Sequence, residues 1–366
     1  MTGQLAVRLH HLDLLRASMM FLGVLVHASH ADYDTGTFEI IRFMSDSFRM
    51  ACFFIISGYF SAMIFARKDI NNFYIKRLPL LFVPAVFCTA ILVPITNSWM
   101  DLYFARGESG NAFVAGWMGH AWFLYVLLIF TLATPAIVLL QKGVAGFLVK
   151  KVSPIAICAV FLLLIITGSI GAEKIVSKFG PALPYYGVID FLISSTFIYL
   201  PYFIIGIYMY QWPSLYAFAH RYLKTWVMLA LVFIAYRYWL WFQEITSTAQ
   251  YFLSIFVDYL TAIPISFALF ALTNRLLGKP NVVVRTMSDS AYTVYIVHYL
   301  FVALILLTAQ GFDLPLTARL ILAFALTSVV AVLFHIHIVQ RYWVIRFLLN
   351  GRLPRKLPDS SSVLNQ

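Results

Sequence analysis

The stretch LDLLRASMMFLGVLVHASH, residues 12–30, decides how the chain folds and raises the question of what it does. Its length suits the roughly 20 apolar residues that a helix needs to cross a bilayer core of about 30 Å. Yet it contains Asp13, Arg16, His27 and His30. Ionisable groups are costly inside a membrane and normally face a cavity or a partner there. The stretch therefore predicts a membrane helix that lines a polar passage.

The 366-residue chain is strongly apolar throughout, with 62% hydrophobic and 11% charged residues. Soluble domains carry about 25% charged residues, so the composition predicts an all-α, polytopic integral membrane protein. The net charge of +11 does not indicate nucleic-acid binding, because the Lys and Arg residues occur in short clusters between apolar runs. The first apolar run is longer than a signal-peptide core and is followed by no small-residue cleavage site, so we expect it to remain as a helix.

About ten membrane spans are expected from the apolar runs. They lie near 12–30, 49–66, 78–98, 119–141, 153–171, 191–211, 225–243, 251–274, 290–309 and 316–340. Lys and Arg concentrate in every second connection, whereas Asp and Glu concentrate in the others. Because cytoplasmic connections carry the excess of Lys and Arg, this alternation predicts that both termini are cytoplasmic. We expect one transmembrane domain over 1–350 and a short basic cytoplasmic tail over 351–366.

The three cysteines, Cys52, Cys88 and Cys158, all fall inside expected spans and have no CxxC or CxxH spacing. They indicate neither a disulfide framework nor a zinc site. We therefore expect no metal ion and no tightly bound cofactor.

One face of the first helix carries all its polar groups. At 100° per residue, Arg16, His27 and His30 lie at about 300°, 320° and 260° from Asp13. Arg16 and His27 are separated by a rise of roughly 16 Å. Such a stripe suits an anionic ligand that enters beside Arg16 and chemistry near His27, since imidazole can act as a base near neutral pH. Alternatively, Asp13 pairs with Arg16 and the two histidines lie at the outer interface.

Several motifs resemble those of the membrane-bound acyltransferase-3 family. They are LDLLR with Arg16-x10-His27, SFRMACFFIISGYF (47–60), FYIKRLPLLFVP (73–84), HAWFLYVLL (120–128), YLPYFIIGIY (199–208) and SDSAYTVYIVHY (288–299). Their order and spacing make the resemblance specific, and it covers roughly residues 12–355. It is strongest to a branch associated with succinylation of osmoregulated periplasmic glucans.

The resemblance implies an enzyme of the bacterial inner membrane. Its reaction would transfer an acyl group from cytoplasmic succinyl-CoA or acetyl-CoA to a hydroxyl group of an extracytoplasmic glycan. The motifs assign His27 as the catalytic histidine and place Arg16 toward the donor. The implied partners are acyl-CoA, a periplasmic glucan or another envelope glycan, and the lipid bilayer, with no nucleic acid. The sequence leaves the oligomeric state open, and a homodimer is compatible with it.

His120 and Arg49 are expected near His27. His120 opens the fourth span at its outer end, where it either orients His27 or the acceptor, or caps the helix at the interface. Arg49 begins the second span, and a guanidinium can hold a carboxylate through two hydrogen bonds. It is expected to bind either the oxyanion or the free carboxylate of a succinyl donor, unless it pairs with Asp46.

Six residues are candidates for contacting the donor: Arg16, Lys76, Arg77, Tyr74, Ser57 and Arg285. A basic cytoplasmic mouth suits the phosphate groups of coenzyme A. The positive-inside rule predicts the same Lys and Arg placements without any ligand, so both interpretations stay open.

Other polar or small residues in the spans have simpler expected roles. His298 is expected to be structural or to line the passage, with direct catalysis as the alternative. Gly58 and Gly206 are expected to allow close helix packing. Arg237 is expected to pair with Asp258.

The leading functional prediction is a glycan O-succinyltransferase that uses acyl-CoA. One alternative is an O-acetyltransferase of another cell-envelope glycan. A second, from a different class, is a proton-coupled transporter, because buried His, Asp and Arg residues in ten helices also suit a carrier. Transporters commonly consist of two repeated halves, whereas the two halves of this sequence show no repeat.

Overall fold

A computed structural model describes residues 9–31, 38–104, 116–148, 186–244, 246–276 and 282–352, with scattered positions between 153 and 178. Every regular element in these residues is a helix. Within them, nine helical segments are long and apolar enough to cross a membrane. The prediction of an all-α, polytopic membrane protein is confirmed.

Twelve α-helices follow one another along the described residues. They are α1 (His10–Ala28), α2 (Glu39–Phe65), α3 (Ile70–Phe87), α4 (Val93–Tyr103), α5 (Trp122–Leu148), α6 (Tyr186–Gln211), α7 (Pro213–Arg221), α8 (Leu223–Trp241), α9 (Thr248–Leu276), α10 (Val282–Ala309), α11 (Leu316–Phe334) and α12 (Trp343–Asn350). A π-helical turn, Cys88–Leu92, joins α3 to α4 into one span, and a second, His335–Val339, extends α11.

Nine of the expected spans match the structure, and most agree within a few residues. The remaining one, 153–171, is only partly described, and its described positions from 156 onward are helical. The largest difference is at α2, which begins at Glu39 and not near residue 49. Likewise α10 begins at Val282 and not near residue 290. Hydropathy marks the continuous apolar core of a span, whereas the first two turns of these helices mix polar with apolar residues.

The polar first half of α2 is held by Arg237 of α8. The Arg237 Nη1 atom donates to the Phe43 carbonyl at 3.2 Å and also to the Ser47 hydroxyl. Its Nε atom lies 2.5 Å from a carboxylate oxygen of Asp258 on α9. The predicted pair of Arg237 and Asp258 is confirmed, and it ties α8 and α9 to α2.

Close packing of α2 on α6 depends on two glycines. A Cβ atom on Gly58 would lie 2.0 Å from the Phe203 carbonyl oxygen, and one on Gly206 would lie 1.9 Å from that of Ile55. Each helix therefore has a glycine where the backbone of the other approaches it. The predicted packing role of both glycines is confirmed.

Helix α1 lies inside the bundle. It packs against α2, α9, α10 and α11, and much of its surface, including Leu12, Leu15 and Val24, is buried. Because α1 has neighbours on several sides, its polar stripe faces protein. The stripe is thus available to build a site.

Candidate active site

Four histidines meet at the end of α1. The ring centroid of His27 lies 4.9 Å from that of His298 on α10, 6.1 Å from that of His120 and 5.1 Å from that of His30. Tyr299 packs on His27 with a centroid distance of 4.2 Å. The structure brings His27 and His120 together as predicted. It adds His298, which was expected mainly to be structural or to line the passage, and His30.

Backbone carbonyls fix the orientation of two of these imidazoles. Nδ1 of His298 lies 2.7 Å from the Tyr295 carbonyl oxygen, and Nε2 of His120 lies 3.1 Å from that of Ile296. A carbonyl only accepts, so these nitrogens carry the protons and the opposite ring nitrogens keep their lone pairs. Tyr295 also donates its hydroxyl to the His120 carbonyl at 2.5 Å. The cluster is thus pre-oriented by its own backbone.

Three ring nitrogens in the cluster are buried and have no hydrogen-bond partner among the described residues: Nδ1 of His27, Nδ1 of His120 and Nε2 of His298. Such groups call for an explanation, for instance a catalytic role or a partner from a ligand. In the described part of the chain, no group of three or more His, Cys, Asp or Glu residues is arranged to hold a metal ion. A hydroxyl-bearing substrate is a chemically suitable partner for these unpaired nitrogens.

Arg49 lies beside the histidines. Its Nη1 atom is 2.9 Å from the position that a Cβ atom on Gly23 would occupy, and Nε2 of His298 is 3.9 Å from the same position. Its Nε atom donates to the Ser45 hydroxyl at 2.7 Å. No ion pair joins Arg49 to Asp46 in the described residues. Arg49 does not begin α2 as expected, but lies within it, next to the imidazoles.

A cavity of about 610 Å³ surrounds Arg16, toward the beginning of α1. Asp13 lines it too and lies 3.5 Å from Arg16, so the alternative pairing is present within the cavity wall. Of the predicted donor residues, Arg77 and Ser57 also line it. The Arg77 Nη2 atom donates to Ser61 at 3.0 Å, whereas its Nε atom is buried without a partner among the described residues.

The cavity does not reach the histidine cluster around His27. Its lining includes Met20, Phe53 and Phe123 but not His27 or Arg49. Along α1 and α2, Met20 and Phe53 lie between the cavity and the cluster, and the Phe123 ring is 4.5 Å from that of Phe53. We call Met20, Phe53 and Phe123 the apolar layer. This cavity therefore ends at the apolar layer, and the expected continuous passage from Arg16 to His27 stays a prediction.

Three predicted donor residues lie outside the cavity lining. Lys76 is exposed, because it points about 100° away from its neighbour Arg77 on α3. Tyr74 donates to the Leu132 carbonyl at 2.8 Å. The Arg285 side chain is 73% exposed and lies 3.7 Å from Asp289. None of the three is placed where it would meet a ligand in this cavity.

Part of the cavity wall follows α11 and was not predicted from the sequence. His335, Gln340, Arg346, Asn350 and Arg352 all line the cavity. Their sequence signal is weak, because the positive-inside rule by itself explains the basic residues beyond 340. The short amphipathic stretch WVIRFLLN, which forms α12, is the feature that could have indicated them.

A family profile described as an acyltransferase domain matches residues 9–336. The chain belongs to the acyltransferase-3 family. The family resemblance indicated by the motifs is thereby confirmed. Together with its nine apolar segments in the described residues, this makes the chain a multi-pass membrane acyltransferase.

Relatives named "Glucans biosynthesis protein C" are similar along most of the chain. The protein of Shigella dysenteriae serotype 1 is 28% identical over 331 residues, covering 80% of this chain and 82% of the relative. That of Salmonella schwarzengrund is 26% identical over 395 residues, and that of Salmonella paratyphi B is 27% identical over 397; each covers 98% of both chains. The resemblance to a glucan-related branch is confirmed. No solved structure matches this chain significantly.

Proposed function

We propose that the protein, placed in the bacterial inner membrane, transfers a succinyl group from cytoplasmic succinyl-CoA to a hydroxyl group of a periplasmic glucan. One observation carries the proposal: a single helix, α1, has Arg16 in an arginine-lined cavity and His27 in a histidine cluster. The two positions are roughly 16 Å apart along the helix. The family supplies the reaction type, and the names of the relatives suggest the acceptor.

The cavity around Arg16 suits the donor. At about 610 Å³ it falls within the 300–1,000 Å³ that is usual for small-molecule sites. Arg16 and Arg77 offer guanidinium groups from different helices to the phosphates of coenzyme A. The thioester end then extends past the apolar layer toward His27, so transfer requires that layer to open.

The imidazoles of the histidine cluster can carry out the acyl transfer. The His27 imidazole accepts the proton of the sugar hydroxyl while the hydroxyl oxygen attacks the thioester carbonyl. The C–S bond then breaks, an ester forms, and the thiolate of coenzyme A leaves and takes up the proton. His120 and His298, each held by a backbone carbonyl, offer a lone pair that can orient the acceptor hydroxyl. This arrangement needs no covalent acyl-enzyme.

Arg49 supports succinyl over acetyl as the acyl group. Its guanidinium lies beside His298 inside the bundle, with the neutral Ser45 hydroxyl as its hydrogen-bond partner in the described residues. A carboxylate brought into this environment would need a compensating cation and paired donors, both of which a guanidinium offers. Membership of an acyltransferase family favours this reaction over the proton-coupled carrier.

The proposal is tested by mass spectrometry of periplasmic glucans from cells with the protein, without it, and with His27→Ala. We expect a succinyl mass increment that appears only with the active protein. His337→Ala is the matched control, because His337 is an exposed histidine outside the cluster. An acetyl mass increment in place of the succinyl one would show that acetyl-CoA is the donor. Activity of His27→Ala near that of the wild type would overturn the mechanism.

A further inference from the structure

The segment that follows α11 forms one wall of the donor cavity. It comprises the π turn His335–Val339, helix α12 (Trp343–Asn350) and the two residues after it, and we call residues 335–352 the C-terminal wall. Arg346 projects from the middle of α12 and Arg352 follows its end, and both line the cavity. The family profile ends at residue 336, so nearly all of this wall lies beyond the matched domain.

The C-terminal wall makes the cavity strongly cationic. Arg346 and Arg352 face the same space as Arg16 and Arg77, against the carboxylates of Asp13 and Asp289. Four guanidiniums against two carboxylates leave an excess of two positive charges. The Nε atoms of Arg77 and Arg346 are buried and have no hydrogen-bond partner among the described residues. These donors are unused by the protein itself.

The position of the C-terminal wall is fixed by two contacts. Gly351 ends α12 with φ +63°, and a Cβ atom there would lie 2.1 Å from the Pro79 carbonyl oxygen. The chain therefore passes directly against α3, two residues beyond Arg77. On the other side, the Thr293 hydroxyl lies 3.2 Å from the amide oxygen of Asn350 and 2.7 Å from Nδ1 of His335. These contacts hold the wall against α3 and α10.

Topology alone does not account for this arrangement. The positive-inside rule predicts basic residues at one membrane surface, but it does not predict that side chains from separate elements converge on one cavity. Arg341 provides the contrast, since it belongs to the same basic cluster but is exposed and does not line the cavity. Convergence of guanidiniums with unused donors is instead characteristic of a site for a multiply charged anion.

We propose that the cavity-facing arginines of the C-terminal wall, Arg346 and Arg352, form the phosphate-binding part of the donor site and hold the phosphate groups of coenzyme A opposite Arg16 and Arg77. The inference rests on the proposed function, because it takes an acyl-CoA as the donor. It extends the donor site to residues that the family motifs do not reach. It also gives the basic end of the chain a role in substrate binding.

The test uses the purified full-length chain in detergent or nanodiscs. Binding of coenzyme A is measured for the wild type, Arg346→Gln, Arg352→Gln and the control Arg341→Gln. Transfer rates are then compared with succinyl-CoA and with the succinyl thioester of N-acetylcysteamine, which lacks every phosphate. We expect Arg346→Gln and Arg352→Gln each to weaken coenzyme A binding about tenfold or more. The control and all rates with the phosphate-free thioester should stay unchanged.

Each other outcome is decisive. Wild-type affinity for coenzyme A in both variants would overturn the inference and leave the proposed function standing. Loss of activity with both donors alike would assign the arginines to folding and would also overturn it. If the wild type itself failed to bind coenzyme A, the proposed function would fall and the inference with it. Arg346→Lys, which keeps the charge but loses the paired donors, should give an intermediate affinity.

Discussion

The Nη1 atom of Arg49 lies 2.9 Å from the point where Gly23 would carry a Cβ atom. Gly23 is one helical turn before His27 on α1, so the missing side chain leaves room for a guanidinium directly beside the histidine cluster. Nε2 of His298 is 3.9 Å from the same point. A glycine in the middle of a membrane helix therefore shapes the site.

Gly23→Ala is expected to lower the transfer rate by about tenfold or more, because the added methyl group displaces the guanidinium and small misplacements in a site are costly. Folding should be little affected, since the group that must move is the flexible end of a side chain. Initial rates with succinyl-CoA, together with the thermal unfolding midpoint, measure both effects. Gly171→Ala is the control, because a Cβ atom there would meet no atom of the described residues within 4 Å. A wild-type rate for Gly23→Ala would show that Arg49 is not held in a required position.

His298→Gln is expected to lower kcat about tenfold while leaving the KM for the donor unchanged. The ring centroid of His298 lies 4.9 Å from that of His27, and His298 does not line the donor cavity. Its loss should therefore affect the reacting groups and not donor binding. Steady-state kinetics separate the two parameters. An increased KM with unchanged kcat would place His298 in donor binding and contradict the arrangement of the site.

Most of the fold could be predicted from the sequence because a membrane span is recorded in a continuous run of apolar residues. The extents of α2 and α10 could not, since their first two turns mix polar with apolar residues. In α2 these turns are held by a partner distant in sequence, as Phe43 and Ser47 are by Arg237. Periodicity did place Arg16 and His27 on one face of α1. It gave no information about what lies between the two ends of that face, which depends on Phe53 and Phe123 of other helices.

The candidate site, too, could be predicted from the sequence only in part. Helical periodicity identifies residues that share a face, so it could pair His27 with Arg16, but it does not identify which other helices face them. His298 and Arg346 approach the site from α10 and α12, and only the packing of those helices brings them there. The separation of Arg77 from Lys76 likewise depends on which side of α3 meets the bundle.

Gly206→Ala is expected to destabilise the protein severely, because its Cβ atom would lie 1.9 Å from the Ile55 carbonyl oxygen. Backbone atoms cannot move aside without separating α6 from α2, so the cost should exceed the usual 1–3 kcal/mol for overpacking. The yield of monodisperse protein and its thermal unfolding midpoint report the effect, again with Gly171→Ala as the control. An unchanged midpoint would contradict the close approach of the two helices.

Phe53→Leu is expected to change which acyl groups are transferred, because Phe53 belongs to the apolar layer that the thioester must pass. A smaller side chain should favour glutaryl-CoA, one methylene longer than succinyl-CoA, and raise the ratio of their kcat/KM values about tenfold. The same substitution at Phe203 is the control, since Phe203 is fully buried yet packs on Phe130 and does not line the cavity. Because both variants lose similar packing, a change in the ratio confined to Phe53→Leu would locate the acyl route at the apolar layer. Equal ratios in both variants would show that the donor reaches His27 by another path.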